Sequence, residues 1–336
     1  MTIEMVQLKK KRTGNSVSSC SSEDDVSSTI EPLNKMAPAK LHHLLQQWKL
    51  SYEQLHENGY PFWDPVNRQA IFPVTANNQR DWLAGNDLIR KCSRCNKGFS
   101  LNSDGTLNPS VCIYHHRPKW NPQTGKKQRT CCSAKPSTSG CLIENSHVFH
   151  SGWEDTLWDF VSTPSAKSTD FRSKKVYGLD CELVFTLNGL EVARVSLVDM
   201  KGKVILDTYV LPVYEVISYN TTFSGVTEKD MEGAISLEAC RLQLFQLINS
   251  ETLLVGHSLE SDLKALRIVH HNVIDTSVLF ALRNMQNGSI RKFSLQTLAW
   301  QHLTKIVQHD KSGHSSVEDG LTCLELLSSL HMMSVK

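Results

Sequence analysis

Asp180 and Glu182 stand two residues apart in Leu179-Asp180-Cys181-Glu182-Leu183. On a strand, residues two apart face the same way, so both carboxylates point together and Cys181 faces the other side. Val176, Leu179, Leu183 and Val184 surround the pair with apolar side chains, and two like charges there are costly unless a cation compensates them. Asp-x-Glu alone most often marks a plain surface strand; the apolar flanks argue against that here. Asp262 follows Gly256-His257-Ser258-Leu259-Glu260-Ser261 and is predicted on one helical face with Leu266 and Val269. Asp319 ends His314-Ser315-Ser316-Val317-Glu318-Asp319 and shares a face with Cys323, Leu326 and Leu330. Ser315 and Glu318 read as a capping box, which sets His314 just before a helix and Asp319 in its first turn. Taken singly, Asp319 suits a helix N-terminus and His314 suits a loop. Four carboxylates on core-facing positions, with a histidine five residues before the last, instead form an oxygen donor set for hard divalent cations, Mg²⁺ or Mn²⁺.

A second group of residues has softer chemistry. Cys92-x-x-Cys95 is followed by Cys112-x-x-His115, then Cys131-Cys132, Cys141 and His147. Cys-x-x-Cys with Cys-x-x-His is zinc-like spacing, and the set suffices for one tetrahedral structural site with spares or for two complete sites. On an extended chain Cys131 and Cys132 point apart, so they are expected to serve different sites, or only one to ligate. Between these ligands lie Arg117, Lys119, Lys126, Lys127 and Arg129 with Trp120, a basic loop suited either to nucleic acid or simply to solvent. Cys20, Cys181, Cys240 and Cys323 read as a tail residue and core fillers.

Elements must position these groups. Residues 176–184, 193–199 and 204–211 are β-rich runs, with Asn188-Gly189 and Lys201-Gly202 as turns. Helices are predicted at 237–249, 259–269, 294–301 and 316–331, and strands at 252–255 and 273–275. Three antiparallel strands followed by alternating helices and strands predict one mixed-sheet α/β domain over 174–332, able to stand alone. Ahead of it the sequence divides into a disordered tail with a basic cluster (1–37), a helical or irregular lead segment (38–90), the Cys/His module (91–150) and a connector (151–173). Composition bounds the class. The chain has 336 residues, with 36 Lys and Arg against 34 Asp and Glu, so any basic surface has to be local. No apolar run reaches a membrane span, and no apolar stretch follows Lys9-Lys10-Lys11-Arg12 to make a secretory signal. A soluble, intracellular chain is expected, in a reducing compartment where clustered cysteines mean metal more often than disulfide.

Asp-x-Glu on the first strand, Asp after Gly-His, and His-x-x-x-x-Asp near the end resemble the signature of DEDDh exonucleases on the RNase H-like fold. More narrowly, the sequence is similar to the REX-type eukaryotic RNA exonucleases. That resemblance rests on Gly178–Glu182, Tyr219-Asn220-Thr221-Thr222-Phe223-Ser224-Gly225-Val226-Thr227, the Gly256–Leu263 stretch, Asp275-Thr276-Ser277 and the Gly313–Asp319 stretch. It covers about 174–330 and, more loosely, the chain back to Pro38, including Asn58-Gly59-Tyr60-Pro61. Leu183 and Gly320 depart from the usual Met and Ala, and Gly320 is expected to loosen the start of its helix. Cys112-Ile113-Tyr114-His115, Cys131-Cys132, Gly140-Cys141 and His147 are similar to CHORD modules and to the Cys/His region before some REX-type nuclease domains. His116 stands where those patterns carry glycine, so it competes with His115 as a ligand.

The resemblance implies an RNase H-like mixed sheet flanked by helices, and a 3′→5′ exonuclease that releases nucleoside 5′-monophosphates from RNA with a free 3′ end. Two Mg²⁺ or Mn²⁺ ions would be held by Asp180, Glu182, Asp262 and Asp319, with Asp180 bridging, and His314 would be the general base. Phe223, Ser224, Gly225, Val226 and Thr227 would line the terminal-nucleotide pocket, and Asp275, ending a strand beside Thr276, is expected to support the ligands from behind or to cap a helix instead of ligating itself. One or two structural Zn²⁺ ions would sit on Cys92, Cys95, Cys112, His115, Cys131, Cys132, Cys141 and His147. Ribonucleoprotein partners would be met through that module, without a membrane. Lys9–Arg12 and the family both point to the nucleus. Two other readings keep the fold: a catalytically silent RNA-binding scaffold, and a 3′→5′ DNA exonuclease.

Overall fold

The computed structural model describes residues 33–73, 88–116, 118–121, 126–129, 131–132, 140–150, 159–283, 289–308 and 313–334. The basic run 9–12, Cys20 and Arg117 lie outside the described residues. The main sheet begins as an antiparallel meander of β1 (Val176–Thr186), β2 (Gly189–Asp199) and β3 (Val204–Leu211). Gly189 and Gly202 hold the two tight turns at φ of 93° and 77°, the left-handed region that glycine enters without penalty. β4 (Val216–Ser218) pairs with the end of β1, and β5 (Ile235–Ser236) runs parallel to β3. β6 (Leu253–Gly256) and β7 (Val273–Asp275) extend the sheet in parallel from the other side of β1. The resulting order, β5-β3-β2-β1-β6-β7 with β2 antiparallel to β1, is RNase H-like.

The α-helices among the described residues are α1 (Pro38–Leu45), α2 (Tyr52–Glu57), α3 (Thr221–Ser224), α4 (Leu237–Leu247), α5 (Leu259–Ala265), α6 (Thr276–Leu279), α7 (Leu295–Leu298) and α8 (Ser316–Ser334). The side-chain alternation of β1 sorts them into two layers. Tyr177, Leu179 and Cys181 face one side and pack with Leu237, Cys240 and Leu244 of α4 and Leu259 and Leu263 of α5. Val176 faces the other and packs with Val198, Leu253, Val255 and with Leu324 and Leu327 of α8. A strand covered on both faces is apolar almost throughout, which is why the two carboxylates of β1 stand out. No helix among the described residues is long and apolar enough to cross a membrane.

The lead segment is part of both cores. Leu41, Leu45 and Trp48 join the α8 layer, while Leu50, Leu55, Tyr60 and Phe62 join the α4 and α5 layer. Between them the chain passes the β7 edge, where the Leu50 N–H donates to the Val273 carbonyl (3.0 Å). Three sequence expectations change. The tail predicted to run through residue 37 stops sooner, since Leu33 is fully buried and Met36 packs beside it. The helix predicted over 259–269 ends at Ala265: Arg267 adopts φ of 54°, and Ile268–Val269 becomes a strand paired with Val161–Ser162 of the connector. The helix predicted over 294–301 is α-helical only to Leu298 and continues as a π-helical turn, Ala299–Leu303.

Candidate active site

Asp180 and Glu182 face α8 from the middle of β1, and α8 can come close because glycines meet at the crossing. A Cβ on Gly178 would lie 2.4 Å from the Gly320 carbonyl oxygen. Asp319, one residue before Gly320, is thereby brought against the strand carboxylates. The Ser315 hydroxyl accepts the Glu318 N–H (3.4 Å) and the Ser315 carbonyl accepts that of Asp319 (2.9 Å), so the helix starts where the capping pattern predicts. The Glu318 carboxylate faces the Gln308 N–H (3.3 Å) rather than closing the box. Asp262 arrives from the opposite helical layer, in the first turn of α5. Its Oδ1 accepts the Cys181 N–H (2.8 Å), which pins α5 to β1 between the two strand carboxylates. Gly256 permits this turn from β6 into α5, because a Cβ there would lie 2.6 Å from Leu259 and 2.9 Å from the Leu179 carbonyl.

The four carboxylates therefore share one small volume, and their ionisation shows it. Burial pushes Asp180 well above the ordinary carboxylate range, and the charges of Asp262, Asp319 and Glu182 add to the effect. Glu182 is pushed up to about 9, first by burial and then by Asp319, with Arg194 pulling the other way. Asp262 is likewise raised by burial despite its hydrogen bond to Cys181. Glu182 Oε1 is buried with no hydrogen-bond partner. An acceptor oxygen left so inside a ring of like charges fits a hard cation, and these are the residues that could hold one. His314 Nδ1 lies 3.9 Å from Asp319 Oδ2, which also accepts from the Gln308 amide (2.6 Å).

The loop preceding α8 is built onto α3. The His314 N–H donates to the Phe223 carbonyl (2.7 Å), and the rings of Phe223 and His314 meet edge to face at 6.2 Å. Gly225 caps α3 at φ of 67°, and Gly313 stacks its backbone against it so closely that a Cβ on Gly313 would lie 2.2 Å from the Gly225 nitrogen. Of the predicted pocket residues, Phe223 is half-buried and faces His314. Ser224 is buried and donates to the Tyr219 carbonyl, Val226 is buried, and the Thr227 hydroxyl donates to Asp230. Gly225 thus has a backbone task, and the side chains of Ser224, Val226 and Thr227 are turned to local structure. Asp275 is a hub, which joins the two roles expected of it, support and capping. Its carboxylate accepts from the N–H groups of Ser258, Leu259 and Ser277 and from the Tyr60 hydroxyl (2.7 Å), tying α5, α6 and the lead segment together. Gln308 had no sequence signal, because it reaches Asp319 from an irregular loop.

The Cys/His module holds two four-residue groups that could each bind a metal ion: Cys92, Cys95, Cys112 and His147, and His115, Cys131, Cys132 and Cys141. In each, the ligand atoms lie within 4.8 Å of one another. The pairing left open by the sequence divides Cys112-x-x-His115 between the two groups. Residues 112–114 are a strand paired with Leu142–Glu144, and three residues of strand span about 10 Å, too far to share an ion. Cys112 consequently meets Cys92 (3.7 Å between sulfurs), and His115 meets Cys132 (3.4 Å). Cys131 and Cys132 join the same group, against the expectation that they diverge, because they sit in a bend and not in an extended strand. His116 leaves the ligand set and packs edge to face on Phe223 (4.9 Å). For Lys119, Trp120, Lys126 and Lys127 only the backbone is described, as two antiparallel strands.

With this geometry in place, relatives decide the family. The chain is 38% identical over 297 residues to Exonuclease GOR of Pan troglodytes, covering 87% of this chain and 42% of that one. It is 30% identical over 305 residues to RNA exonuclease 3 of Eremothecium gossypii, covering 88% of this chain and 74% of that one. The chain belongs to the RNA exonuclease family. Several of the RNA exonucleases it matches are much longer, and it spans 18% to 43% of their length. Among solved structures, it is similar to the Neurospora crassa Pan2 catalytic unit, with a TM-score of 0.45 and 23% identity over 62% of this chain and 39% of that one. A family model described as ElonginA binding-protein 1 matches residues 4–77.

Proposed function

We propose that this chain is a metal-dependent 3′→5′ exonuclease acting on RNA, which hydrolyses the terminal phosphodiester bond and releases nucleoside 5′-monophosphates. The observation that carries the reading is the convergence of Asp180, Glu182, Asp262 and Asp319, with Glu182 Oε1 buried and without a hydrogen-bond partner, beside His314. Two Mg²⁺ or Mn²⁺ ions held by these carboxylates would neutralise them and supply Lewis acidity at the scissile phosphate. His314 takes a proton from the attacking water as its oxygen bonds to phosphorus; the bond to the 3′ oxygen breaks, and that oxygen leaves with a proton. Asp319 and the Phe223 carbonyl hold His314 in position for this. RNA is favoured over DNA because relatives at 30% to 40% identity are named RNA exonucleases.

The two Cys/His groups are read as structural Zn²⁺ sites, one ion each, since thiolate and imidazole donors in fours suit zinc. Nuclear residence is supported by Lys9-Lys10-Lys11-Arg12. The match of residues 4–77 makes elongin A a candidate partner for that stretch, alongside ribonucleoprotein partners met through the Cys/His module. The test is purified chain with Mg²⁺ and matched 5′-end-labelled RNA and DNA strands, resolved at single-nucleotide steps. Progressive shortening of RNA is expected. Asp180→Asn and Asp319→Asn are each expected to lower turnover by roughly a hundredfold or more, the scale of losing one metal-holding or charge-stabilising group, while circular dichroism stays unchanged. Activity within about tenfold of wild type in both would overturn the assignment.

A further inference from the structure

The Cys/His module is not tethered to the sheet but shares a core with it. Phe185 of β1 is buried among Cys92, Phe99, Cys112, Tyr114 and Phe149, with Leu190 and Ile217 packed against the same cluster. The Leu190 N–H donates to the His150 carbonyl, and the Arg94 guanidinium donates to Ser218 (2.7 Å). Along this seam lies a cleft of about 210 Å³, several times the ~30 Å³ of one water. One wall is Arg94, Tyr114 and His116 of the module; the other is Phe185, Asn220 and Phe223 of the nuclease sheet and its α3 loop. None of the four carboxylates lines it, so it is separate from the catalytic centre, yet Phe223 borders both: its ring meets His314 at 6.2 Å and His116 at 4.9 Å.

We infer that this cleft is a second nucleotide subsite, in which the module stacks a base of the single strand lying immediately 5′ of the terminal nucleotide. The inference rests on the nuclease reading above and names the path its substrate takes. The chemistry of the walls is that of single-strand recognition: aromatic faces, a guanidinium held over two of them, and an amide. Arg94 lies 5.2 Å from the Tyr114 ring centroid and 5.4 Å from that of Phe185, a cation fixed among rings. His150 stacks on Phe185 at 10° and adds a further flat surface at the mouth. Continuity through Phe223 sets the order, because a strand whose 3′ end is at His314 must next pass His116. Stacking does not discriminate strongly among bases, so the subsite secures any sequence while the carboxylates act on its end.

The experiment compares His116→Ala and Arg94→Met on the module wall, and Asn220→Asp on the nuclease wall, with the wild-type full chain. Substrates are a strand of about eight nucleotides and the same strand with an abasic residue one position 5′ of the terminal nucleotide. The wild type is expected to have a KM for the intact strand lower by about tenfold than for the abasic one, the order expected of one stacked base. That advantage should shrink to about twofold or less in variants from both walls, with unchanged circular dichroism. A second readout does not need turnover. A 4-thiouridine one position 5′ of the terminal nucleotide, bound to Asp180→Asn, should crosslink to Tyr114, His116 or Phe223. Crosslinks confined to residues outside the cleft, or the intact strand's advantage over the abasic one retained in all three variants, would overturn the subsite. Wild-type chain that shortens no RNA would instead overturn the nuclease reading, and the crosslink would then decide the cleft alone.

Discussion

At the scale of single residues, two histidines show how surroundings set a task. His314 sits at the rim of the carboxylate cluster, half-exposed and held by the Phe223 carbonyl through its own backbone. His314→Ala is expected to leave the fold intact and lower kcat by roughly 10²–10⁴-fold, the contribution of a positioned general base, as checked by single-turnover kinetics. His270 is the opposite case. Its Nε2 faces the carbonyls of Thr252 (3.0 Å) and Asn272 (3.2 Å) and its Nδ1 faces the Thr163 hydroxyl (3.1 Å), so the buried ring is neutral with its proton on Nε2. Burial lowers its pKa to about 4. The unfolded chain, with histidine near 6.5, therefore binds the extra proton first as pH falls. Stability conferred by this residue is present above pH 6.5 and is lost between 6.5 and about 4, at a rate approaching ~1.4 kcal/mol per pH unit. Urea unfolding across that window should show the slope, and His270→Asn should flatten it.

At the scale of elements, the site depends on how closely α8 lies on β1. Gly178→Ala would drive a Cβ to 2.4 Å from the Gly320 carbonyl, so the helix must shift and carry Asp319 with it. A stability loss of ~1–3 kcal/mol is expected from overpacking, with turnover falling by more than the lost stability accounts for. Gly320→Ala is different. Its Cβ would meet Val198 at 3.4 Å and Gly178 at 3.5 Å, ordinary packing distances, while a glycine is removed from the first turns of a helix. That substitution is expected to stabilise the chain by up to ~1 kcal/mol and to keep activity. Thermal melts of the two variants, measured beside kcat, check both. The expectation that Gly320 loosens the helix start is thus recast: a methyl fits at 320, and it is Gly178 whose missing side chain admits the helix.

At the scale of the whole molecule, chelation separates the two donor sets. Brief EDTA treatment should stop cleavage, and added Mg²⁺ or Mn²⁺ should restore it, while zinc stays bound by its four soft ligands and is read by elemental analysis. Cys92→Ser with Cys95→Ser should lower the melting temperature of the entire chain, because their cluster shares Phe185 with the sheet. The segment 174–332 was expected to stand alone, but its cores include Leu41, Leu45, Leu50, Leu55 and Tyr60 from the lead segment. Removing residues 1–173 would expose both faces and unpair Asp275 from Tyr60. That truncated form is expected to melt at a lower temperature than the full chain, or to aggregate, as light scattering during a thermal scan would show.

The four clustered carboxylates, the strand that bears two of them and the eight cysteines and histidines of the two soft-donor groups stood out in the sequence for a local reason. Charge on an otherwise apolar strand or helix stripe, and thiols at short spacing, violate the pattern of their own element and need no distant partner to be noticed. What the sequence did not reveal depended on partners far along the chain or on the exact backbone path. Cys112 and His115 were separated because a strand carries them apart. Arg267 ended a helix by entering the left-handed region, and Asp275 collected bonds from Tyr60, 215 residues away. The lead segment's apolar residues marked it as a helix but not as the closure of two cores. Which faces meet is decided by packing in three dimensions, and only there did the Cys/His module and the main sheet become two walls of one cleft.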